Sequence, residues 1–437
     1  MSIFKKQILY LKPILLAAVI LVGCAPQHTD AVSEPEQIAL TFSWWGTQQI
    51  TDSTIALIEK YTDLNPHITI QAMPSAWEDY YNELGEKAAI GTLPDIVQIG
   101  GAHLRSYGEE GLLADLSPYV ESNVIDLTHL DPGLSDIPSG EPLNDIVIAS
   151  NVLAIVYNPD VLTAAGITLP DPSWQWQDFE QLCMTVKQKT DKWGFAVNIN
   201  ETSLLSYWLR QSGNNLFSEN GKALGYEDDQ IFIDFISFFK RLVDAGAAPT
   251  PEDWLIMNEL GSDLHPVITG EAAFTLEWAN YVVKSEQLNP NLRLITLPYS
   301  DTGINALSVN PSVSLSVSEG SPHKAEAAAF IDWFINSREA NEILKANRGI
   351  PVNAKIRKQL SQSMSPQQQE MFEYMELVGE QPATAPQTGS ESGLTGKEAA
   401  TVTLVDVLNR VLFDKLTPEA AAQIFRQKVT TALDTPS

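Results

Sequence analysis

The stretch Ile38-Ala39-Leu40-Thr41-Phe42-Ser43-Trp44-Trp45-Gly46-Thr47 alternates apolar and polar residues like a strand and then reaches a small, polar turn. A helical pattern follows, with Thr51 or Asp52 as its expected N-cap. Strand patterns at Ile68–Ile70 and Asp95–Ile99 then flank a second helical pattern. Strands that alternate with helices in this way are typical of a mostly parallel sheet with helices on both faces. The sequence therefore predicts an α/β fold.

The same kind of pattern begins again near residue 150 and continues towards the C-terminus. The later strand-like segments are Leu153–Tyr157, Glu271–Leu276 and Ser312–Val317. Helical patterns cover residues 178–189 and 230–245, and Ser321-Pro322 and Thr417-Pro418 are expected to begin two further helices. Because 437 residues are too many for one compact core, we expect two lobes.

The first residues of the chain have the pattern of a bacterial secretory signal. Lys5 and Lys6 precede an apolar run over residues 14–21, and a small residue stands directly before Cys24. The run is too short to be read as a membrane span, so we interpret residues 1–23 as a signal peptide that is removed.

The segment Leu21-Val22-Gly23-Cys24 resembles the lipobox of bacterial lipoproteins. This resemblance implies that Cys24 carries lipid, and that residues 24–36 tether the protein flexibly to the outer face of the cell membrane. The alternative is an ordinary signal peptide with an incidental cysteine.

The composition argues against several classes of function. A net charge of −28 at pH 7 repels phosphates, which argues against nucleic acid as a partner. The six histidines show no metal-ligand spacing, and the chain has no Gly-x-Ser-x-Gly or phosphate-binding glycine motif. Cys183 is the only cysteine besides Cys24 and lies on an apolar helical stripe, which indicates a buried structural thiol. We therefore expect no catalytic residue, no metal and no cofactor.

Eight short motifs follow one another along nearly all of the mature chain. They are Leu64–Ile70, Ala88–Val97, Gly111–Leu116, Ile155–Leu162, Trp174–Phe179, Gly270–Phe274, Ser321–Trp333 and Gly349–Val352. Together and in this order they resemble the extracellular solute-binding proteins of ABC importers, in particular the sugar-binding group that includes maltose-binding protein. The sequence departs from the usual pattern at Gln175, where the family has a Ser or Thr cap, and at Phe274, where it has Met.

The resemblance implies a two-lobed, periplasmic-binding-protein-like clamp in which a mostly parallel sheet flanked by helices forms each lobe. Lobe one would comprise residues 37–149 plus 316–348, and lobe two residues 150–312 plus 351–434. Three crossings near Ala149–Val152, Pro311–Ser316 and Arg348–Pro351 would form the hinge. A monomer of this kind closes on a carbohydrate ligand and delivers it to the transmembrane subunits of a permease.

Aromatic rings stack on the apolar face of a sugar, and amides and arginines bind its hydroxyl groups. In lobe one, the predicted ligand contacts follow the first three strands: Trp45, Gln48, Trp77, Tyr80, Gly100 and Gly101. We expect Trp44, the other member of its tryptophan pair, to lie in the core. His103 is a candidate for the edge of the site or for the surface.

In lobe two and the hinge, the predicted ligand contacts are Asn198, Trp208, Trp278, Asn280 and Arg348. Trp278 and Asn280 carry the prediction best, because they directly follow a strand. Trp208 fits the core equally well, and Arg348 fits an ion pair with an acid. Trp174 and Trp176 begin a helix and are interpreted as packing residues.

Two other functions remain open at this point. A glycoside hydrolase needs two carboxyl groups at a defined separation, and no motif in the sequence marks such a pair. A receptor of the same fold for a non-sugar solute, such as a polyamine, would use the acids and tryptophans through cation–π contacts.

Overall fold

The computed structural model describes residues 37–131, 134, 142–169, 174–197, 199, 202–218, 220–301, 304–380 and 394–434. The predicted signal peptide, Cys24 and the tether lie outside these residues. Within the described ranges, no helix combines the length and the hydropathy that a bilayer crossing requires.

Nine strands in the described residues form one sheet. They are β1 (Ile38–Trp45), β2 (Ile68–Ser75), β3 (Ile96–Ile99), β4 (Ile146–Tyr157), β5 (Trp193–Phe195), β6 (Ala272–Trp278), β7 (Arg293–Ile295), β8 (Val309–Val317) and β9 (Ile350–Pro351). The strand order is β2-β1-β3-β8-β4-β6-β5, and β7 and β9 also pair with β4.

Helices cover the two faces of this sheet. The first group is α1 (Gln48–Leu64), α2 (Trp77–Ala89), α3 (Gly101–Glu109), α4 (Ser117–Glu121), α5 (Pro159–Ala165), α6 (Trp176–Thr190), α7 (Ser203–Gln211), α8 (Gln230–Asp244) and α9 (Pro251–Leu260). The second group is α10 (Pro266–Thr269), α11 (Tyr281–Lys284), α12 (Lys324–Asn336), α13 (Arg338–Leu344), α14 (Ala354–Leu360), α15 (Pro366–Glu380), α16 (Leu394–Leu412) and α17 (Pro418–Leu433).

The sheet contains both parallel and antiparallel strand pairs. β1 pairs in parallel with both β2 and β3, as strands joined by helical crossovers do, and β5 pairs in parallel with β6. The long strands β4 and β8 run antiparallel to each other through the centre of the sheet. The predicted two-lobed α/β class is confirmed.

The hydrophobic core has two large clusters, one at each end of β4. We call the part of the molecule around the first cluster lobe one; its members include Phe42, Leu57, Ile96, Ile146, Leu315 and Phe330. We call the part around the second cluster lobe two; its members include Ile155, Phe179, Phe235, Phe274, Met375 and Phe425. A smaller cluster on the other face of lobe one contains Tyr80, Leu84, Val97, Ile99, Tyr107 and Leu113. Cys183 is completely buried in lobe two, which confirms its prediction as a structural thiol.

The three segments that the sequence marks as crossings lie side by side. Ser150 of β4 is opposite Pro311 of β8 and also opposite Ile350 of β9, and the register of β4 shifts on either side of Ala149. Such irregularities let a strand bend and twist locally. The hinge motion and the lobe boundaries stay predictions.

Two predicted helix starts are wrong. α1 begins at Gln48, and Thr47 rather than Thr51 or Asp52 is its N-cap, because the helix follows β1 after only two residues. α12 begins at Lys324 rather than at Pro322. The hydroxyl of Ser321 donates instead to Asp95 Oδ1 at 2.6 Å, which holds this turn against the start of β3. By contrast, Thr417 caps α17 as predicted.

Candidate functional site

The end of β1 divides its two tryptophans between the core and the surface. Trp44 is fully buried, as expected, and its ring lies 4.9 Å from that of Phe42. Trp45 is half-buried and lies on the opposite face of the strand. Its ring contacts Trp77 at 5.3 Å, Tyr80 at 5.1 Å and Tyr81 at 5.6 Å between centroids. Trp45 therefore belongs to an aromatic wall at the end of the strand.

Trp77 is the most exposed member of this wall. It is the first residue of α2, and 57% of its side chain is accessible to solvent. Edge-on contacts with Trp45 and Tyr81, whose planes are inclined by 69° and 87° to its own, hold the indole ring. A large apolar ring that is exposed and yet supported on two sides offers a preformed surface for stacking.

Tyr80 does not take the place that the sequence predicted. Its side chain is 1% exposed, and its hydroxyl donates to the carbonyl oxygens of Ser43 at 3.2 Å and Gln98 at 2.7 Å. Burial raises the pKa of Tyr80 well above its ordinary value, so the hydroxyl remains a neutral donor. Tyr80 thus supports the wall from behind, and we correct its assignment as a ligand contact.

Tyr81 is the residue that the sequence analysis missed. It is half-buried, and its ring stacks on His103 with centroids 3.5 Å apart and planes inclined by 9°. Burial raises the pKa of its hydroxyl, and the backbone of Gly100 offsets part of this rise. Helical spacing is the pattern that distinguishes the two tyrosines, because residues four apart share a face: Tyr80 with the buried Leu84, and Tyr81 with the exposed Trp77.

The remaining predicted residues of lobe one lie at helix starts. Gln48 is the first residue of α1 and is exposed, although its amide donates to Asp52 Oδ1 at 2.7 Å. Gly100 is the N-cap of α3, and Gly101 is the first residue of that helix. A Cβ at Gly100 would make only ordinary van der Waals contacts, 3.7 Å from the Ser312 carbonyl oxygen and 3.9 Å from the Trp45 ring, so Gly100 lies next to the wall.

In lobe two, Trp278 ends β6, and Asn280 follows that strand as predicted. Trp278 is the last residue of the strand, lies opposite Leu153 of β4, and is half-buried against the lobe-two cluster. Asn280 is the N-cap of α11, but its side chain makes no capping hydrogen bond. Leu153 is next to Val152, which pairs with Val309 of β8, so Trp278 lies at the end of β6 nearest the crossing strands.

Trp208 is partly buried against the lobe-two cluster, and its role as a ligand contact stays a prediction. Its ring lies 4.7 Å from Trp176, 5.7 Å from Phe235 and 5.8 Å from Phe238. Trp176 itself packs in this group, and its indole N–H donates to Gln211 Oε1 at 2.9 Å. Trp174 is buried and donates to the Thr296 carbonyl, which agrees with its interpretation as packing. Asn198 lies outside the described residues.

Arg348 lies beneath the strand ends of lobe one. Its Nε donates to Gln98 Oε1 at 3.1 Å, and its Nη2 donates to Thr54 Oγ1 at 2.6 Å. Burial lowers the pKa of Arg348 to about 9. No carboxylate in the described residues forms an ion pair with it, so the alternative of a salt bridge is wrong. These two hydrogen bonds go to the protein, and contact of Arg348 with a ligand stays a prediction.

A second aromatic group extends from α9 towards the end of β6. The ring of Trp254 lies 5.7 Å from His265, which lies 6.0 Å from Tyr281. His265 caps the short helix α10, because its Nδ1 accepts from the Val267 N–H at 3.4 Å. Burial lowers the pKa of His265 to about 4, so the ring is neutral at pH 7.

The chemistry of this arrangement is that of binding. Trp77, Trp45 and Tyr81 in lobe one and Trp278 in lobe two supply aromatic surface, while Gln48 supplies an exposed amide. Among the described residues, no group of three or more His, Cys, Asp or Glu side chains could hold a metal ion. Trp45 and Trp278 are the last residues of β1 and β6, and Gln48 and Trp77 begin the helices that follow β1 and β2. Strand ends of this kind are where open α/β sheets bind ligands.

Comparison with known proteins identifies a matching protein family. Residues 47–341 match the bacterial extracellular solute-binding protein family. A lipoprotein of Streptomyces antibioticus is 21% identical over 337 residues, which cover 73% of this chain and 70% of the relative.

Solved structures of solute-binding proteins share the fold. An extracellular solute-binding protein family 1 member from Alicyclobacillus acidocaldarius superposes with a TM-score of 0.78 and 23% identity, over 92% of this chain and all of that one. An oligogalacturonide-binding protein from Yersinia enterocolitica, in complex with saturated digalacturonic acid, superposes with a TM-score of 0.73 and 22% identity, over 91% and 98% of the two chains. Because the family match spans well over half of the sequence and the folds agree, the protein belongs to the bacterial extracellular solute-binding proteins.

Proposed function

We propose that this protein is the substrate-binding component of an ABC importer and that it binds a sugar or an oligosaccharide between its two lobes. The exposed and supported indole of Trp77, in a wall with Trp45 and Tyr81, is the observation that carries the proposal. Such a surface suits the apolar face of a pyranose ring. Trp278 supplies a second aromatic surface from the other lobe.

The family and its structures support a carbohydrate in particular. The Yersinia protein, which has the same fold, was solved with a digalacturonic acid. A polyamine is the alternative non-sugar ligand, since the chain carries 55 acidic residues and ten tryptophans.

Binding without turnover completes the proposed role. Closure of the lobes is driven by contacts that exist only in the closed state, and the closed form then delivers the ligand to the permease. We propose that lipid on Cys24 holds the protein at the outer face of the cell membrane, in line with the lipoprotein relative from Streptomyces.

Thermal unfolding of the purified protein tests this function. The probes are glucose, maltose, maltotriose and saturated digalacturonic acid, with spermidine and divalent metal salts as the non-sugar arm. A ligand at a hundred times its Kd stabilises the folded state by about 2.7 kcal/mol and raises the unfolding midpoint by several degrees. A shift with one class of sugar supports the proposal, and a shift with spermidine or metal alone contradicts it. Release of reducing ends from the bound sugar would show a hydrolase instead.

A further inference from the structure

We propose that Arg348 is a positioning residue, which ties the backbone of Trp45 and the start of α1 to the crossing segment that leads into β9. Its effect on ligand affinity rests on the proposed function. Its effect on the environment of Trp45 does not, and the two are tested separately below.

One branch of the connection reaches the aromatic wall. Arg348 Nε donates to Gln98 Oε1 at 3.1 Å, and Gln98 Nε2 donates in turn to the carbonyl oxygen of Trp45 at 3.2 Å. Gln98 also supplies the carbonyl oxygen to which Tyr80 donates. The guanidinium therefore fixes the amide that holds the last residue of β1.

The other branch reaches the first turns of α1. Arg348 Nη2 donates to Thr54 Oγ1 at 2.6 Å, and this hydroxyl donates to the Ile50 carbonyl at 2.6 Å. The neighbouring Asn347 donates to Ser53 Oγ at 2.5 Å. Two consecutive side chains of the crossing segment thus hold α1, which begins after the two residues that follow Trp45.

Residues 347–349 also pack closely against the two crossing strands, β4 and β8. Gly349 has a φ of +129°, and a Cβ there would lie 3.0 Å from the Ser150 carbonyl oxygen and 3.2 Å from Ser312 Oγ. Ser150 belongs to β4 and Ser312 to β8. Residues 347–349 therefore contact both crossing strands on one side and the ligand-facing end of lobe one on the other.

Stability alone does not account for this arginine. Its guanidinium is held by neutral acceptors, lies 5.9 Å from the Phe334 ring, and leaves the solvent-shielded Nη1 without a hydrogen-bond partner. A partly buried cation without a carboxylate loses hydration that hydrogen bonds to neutral acceptors return only in part. The planar guanidinium does, however, donate at the same time to Gln98 in β3 and to Thr54 in α1, which a lysine ammonium group cannot do. Movement of the crossing segment is thereby transmitted to Trp45.

Fluorine NMR of the protein labelled with 5-fluorotryptophan tests the connection without any ligand. The Trp45 resonance is assigned with Trp45→Phe. Arg348→Lys and Thr54→Val are each expected to shift or broaden it. Arg357→Lys is the control, because Arg357 is a second arginine near β9 but bonds to Asp131 and to the Pro351 carbonyl. An unchanged Trp45 resonance in both Arg348→Lys and Thr54→Val, or the same change in Arg357→Lys, overturns the proposal.

A double-mutant cycle tests the consequence for binding, with the sugar that gives the largest thermal shift. Arg348→Lys is expected to weaken affinity by about tenfold, the order of one hydrogen bond to a charged group. In the Trp45→Ala background the same substitution is expected to weaken it by less than about threefold. Equal losses in both backgrounds contradict a role through Trp45. If no sugar binds, the proposed function fails, while the NMR result still decides the positioning role.

Discussion

Trp77 exposes more than half of an indole ring that contributes little to the core, whereas the neighbouring Tyr80 is almost completely buried. At the scale of single residues, neighbouring aromatic residues at the site therefore have different structural roles. Trp44 and Tyr80 pack and support, and Trp45, Tyr81 and Trp77 form the wall. Side chains alternate between the two faces of β1, so the sequence predicts that one of Trp44 and Trp45 lies in the core. Tyr80 and Tyr81 are neighbours in a helix, and only the positions of the other residues on each helix face show which of them is buried.

Replacement of Trp278 by alanine is expected to weaken ligand binding by about 2 kcal/mol, or roughly thirtyfold, because this ring is a binding hot spot in our account. Trp176→Ala is the comparison. It removes a ring that packs among Trp208 and Phe238, so it should lower the free energy of unfolding and change affinity little. Isothermal titration and urea unfolding measure the two effects. Equal losses of affinity would undo the assignment of Trp278.

The lowered pKa of the partly buried His265 predicts a pH-dependent loss of stability. Its pKa is about 4 in the folded protein and about 6.5 when unfolded, so between these values the unfolded chain binds more protons. Stability is then complete above pH 6.5 and falls as the pH decreases towards 4.

His265→Asn keeps an N-cap for α10 and removes this titration. The free energy of unfolding is measured in urea at pH 7 and at pH 5 for both proteins. The decrease from pH 7 to pH 5 should be about 1–2 kcal/mol smaller in the variant than in the wild type. His129→Asn, at an exposed histidine, is the control. Identical pH dependence in the wild type and in His265→Asn would show that this ring is not the source.

At the scale of elements, strands were easier to predict than helix starts. The buried strand at Asp95–Ile99 and the helix at residues 230–245 follow from apolar runs and stripes, and the structure has both within a residue. The start of α12 was missed because Ser321 bonds to Asp95, a residue more than 200 positions away. Local sequence describes capping, but it does not describe a competing tertiary hydrogen bond.

Gly349→Ala tests the tight packing of the crossings. The added methyl group would meet the Ser150 carbonyl at 3.0 Å in a backbone conformation that alanine rarely adopts, so we expect a loss of about 1–3 kcal/mol in unfolding free energy. Gly320→Ala, where a Cβ meets no atom within 4 Å, is the matched control and should be nearly neutral. Equal stability of both variants would mean that the crossing segment can move away without cost.

A buried ion pair connects the segment after β9 to lobe one. Arg357 donates to both carboxylate oxygens of Asp131, at 2.6 and 2.7 Å, and the two side chains are almost fully buried. Asp131→Asn should lower the free energy of unfolding by about 3–5 kcal/mol, because it leaves the guanidinium without its counter-charge. Urea unfolding measures this loss. The exposed pair of Arg338 and Glu342 is the control, and Glu342→Gln should cost less than about 1 kcal/mol.

At the scale of the whole molecule, the sequence predicted the class of fold and, through the family resemblance, three crossings between the lobes, but not how the strands pair at those crossings. Alternating strand and helix patterns, with the family resemblance, were enough for two α/β lobes. They did not show that β4 and β8 extend from one lobe to the other and join both lobes in one sheet. Local periodicity does not determine which distant strands pair or in which register. The same limit explains Arg348, whose partners lie 250 and 294 positions away along the chain.

Titration calorimetry on three proteins tests the central claim, that one sugar is held by both lobes. The sugar with the largest thermal shift is titrated into the wild type, Trp77→Ala and Trp278→Ala. We predict one site per chain in the wild type and at least a tenfold loss of affinity in each variant, because each removes a stacking surface from a different lobe. Undiminished binding in either variant would contradict the account, since the ligand would then be held by one lobe alone.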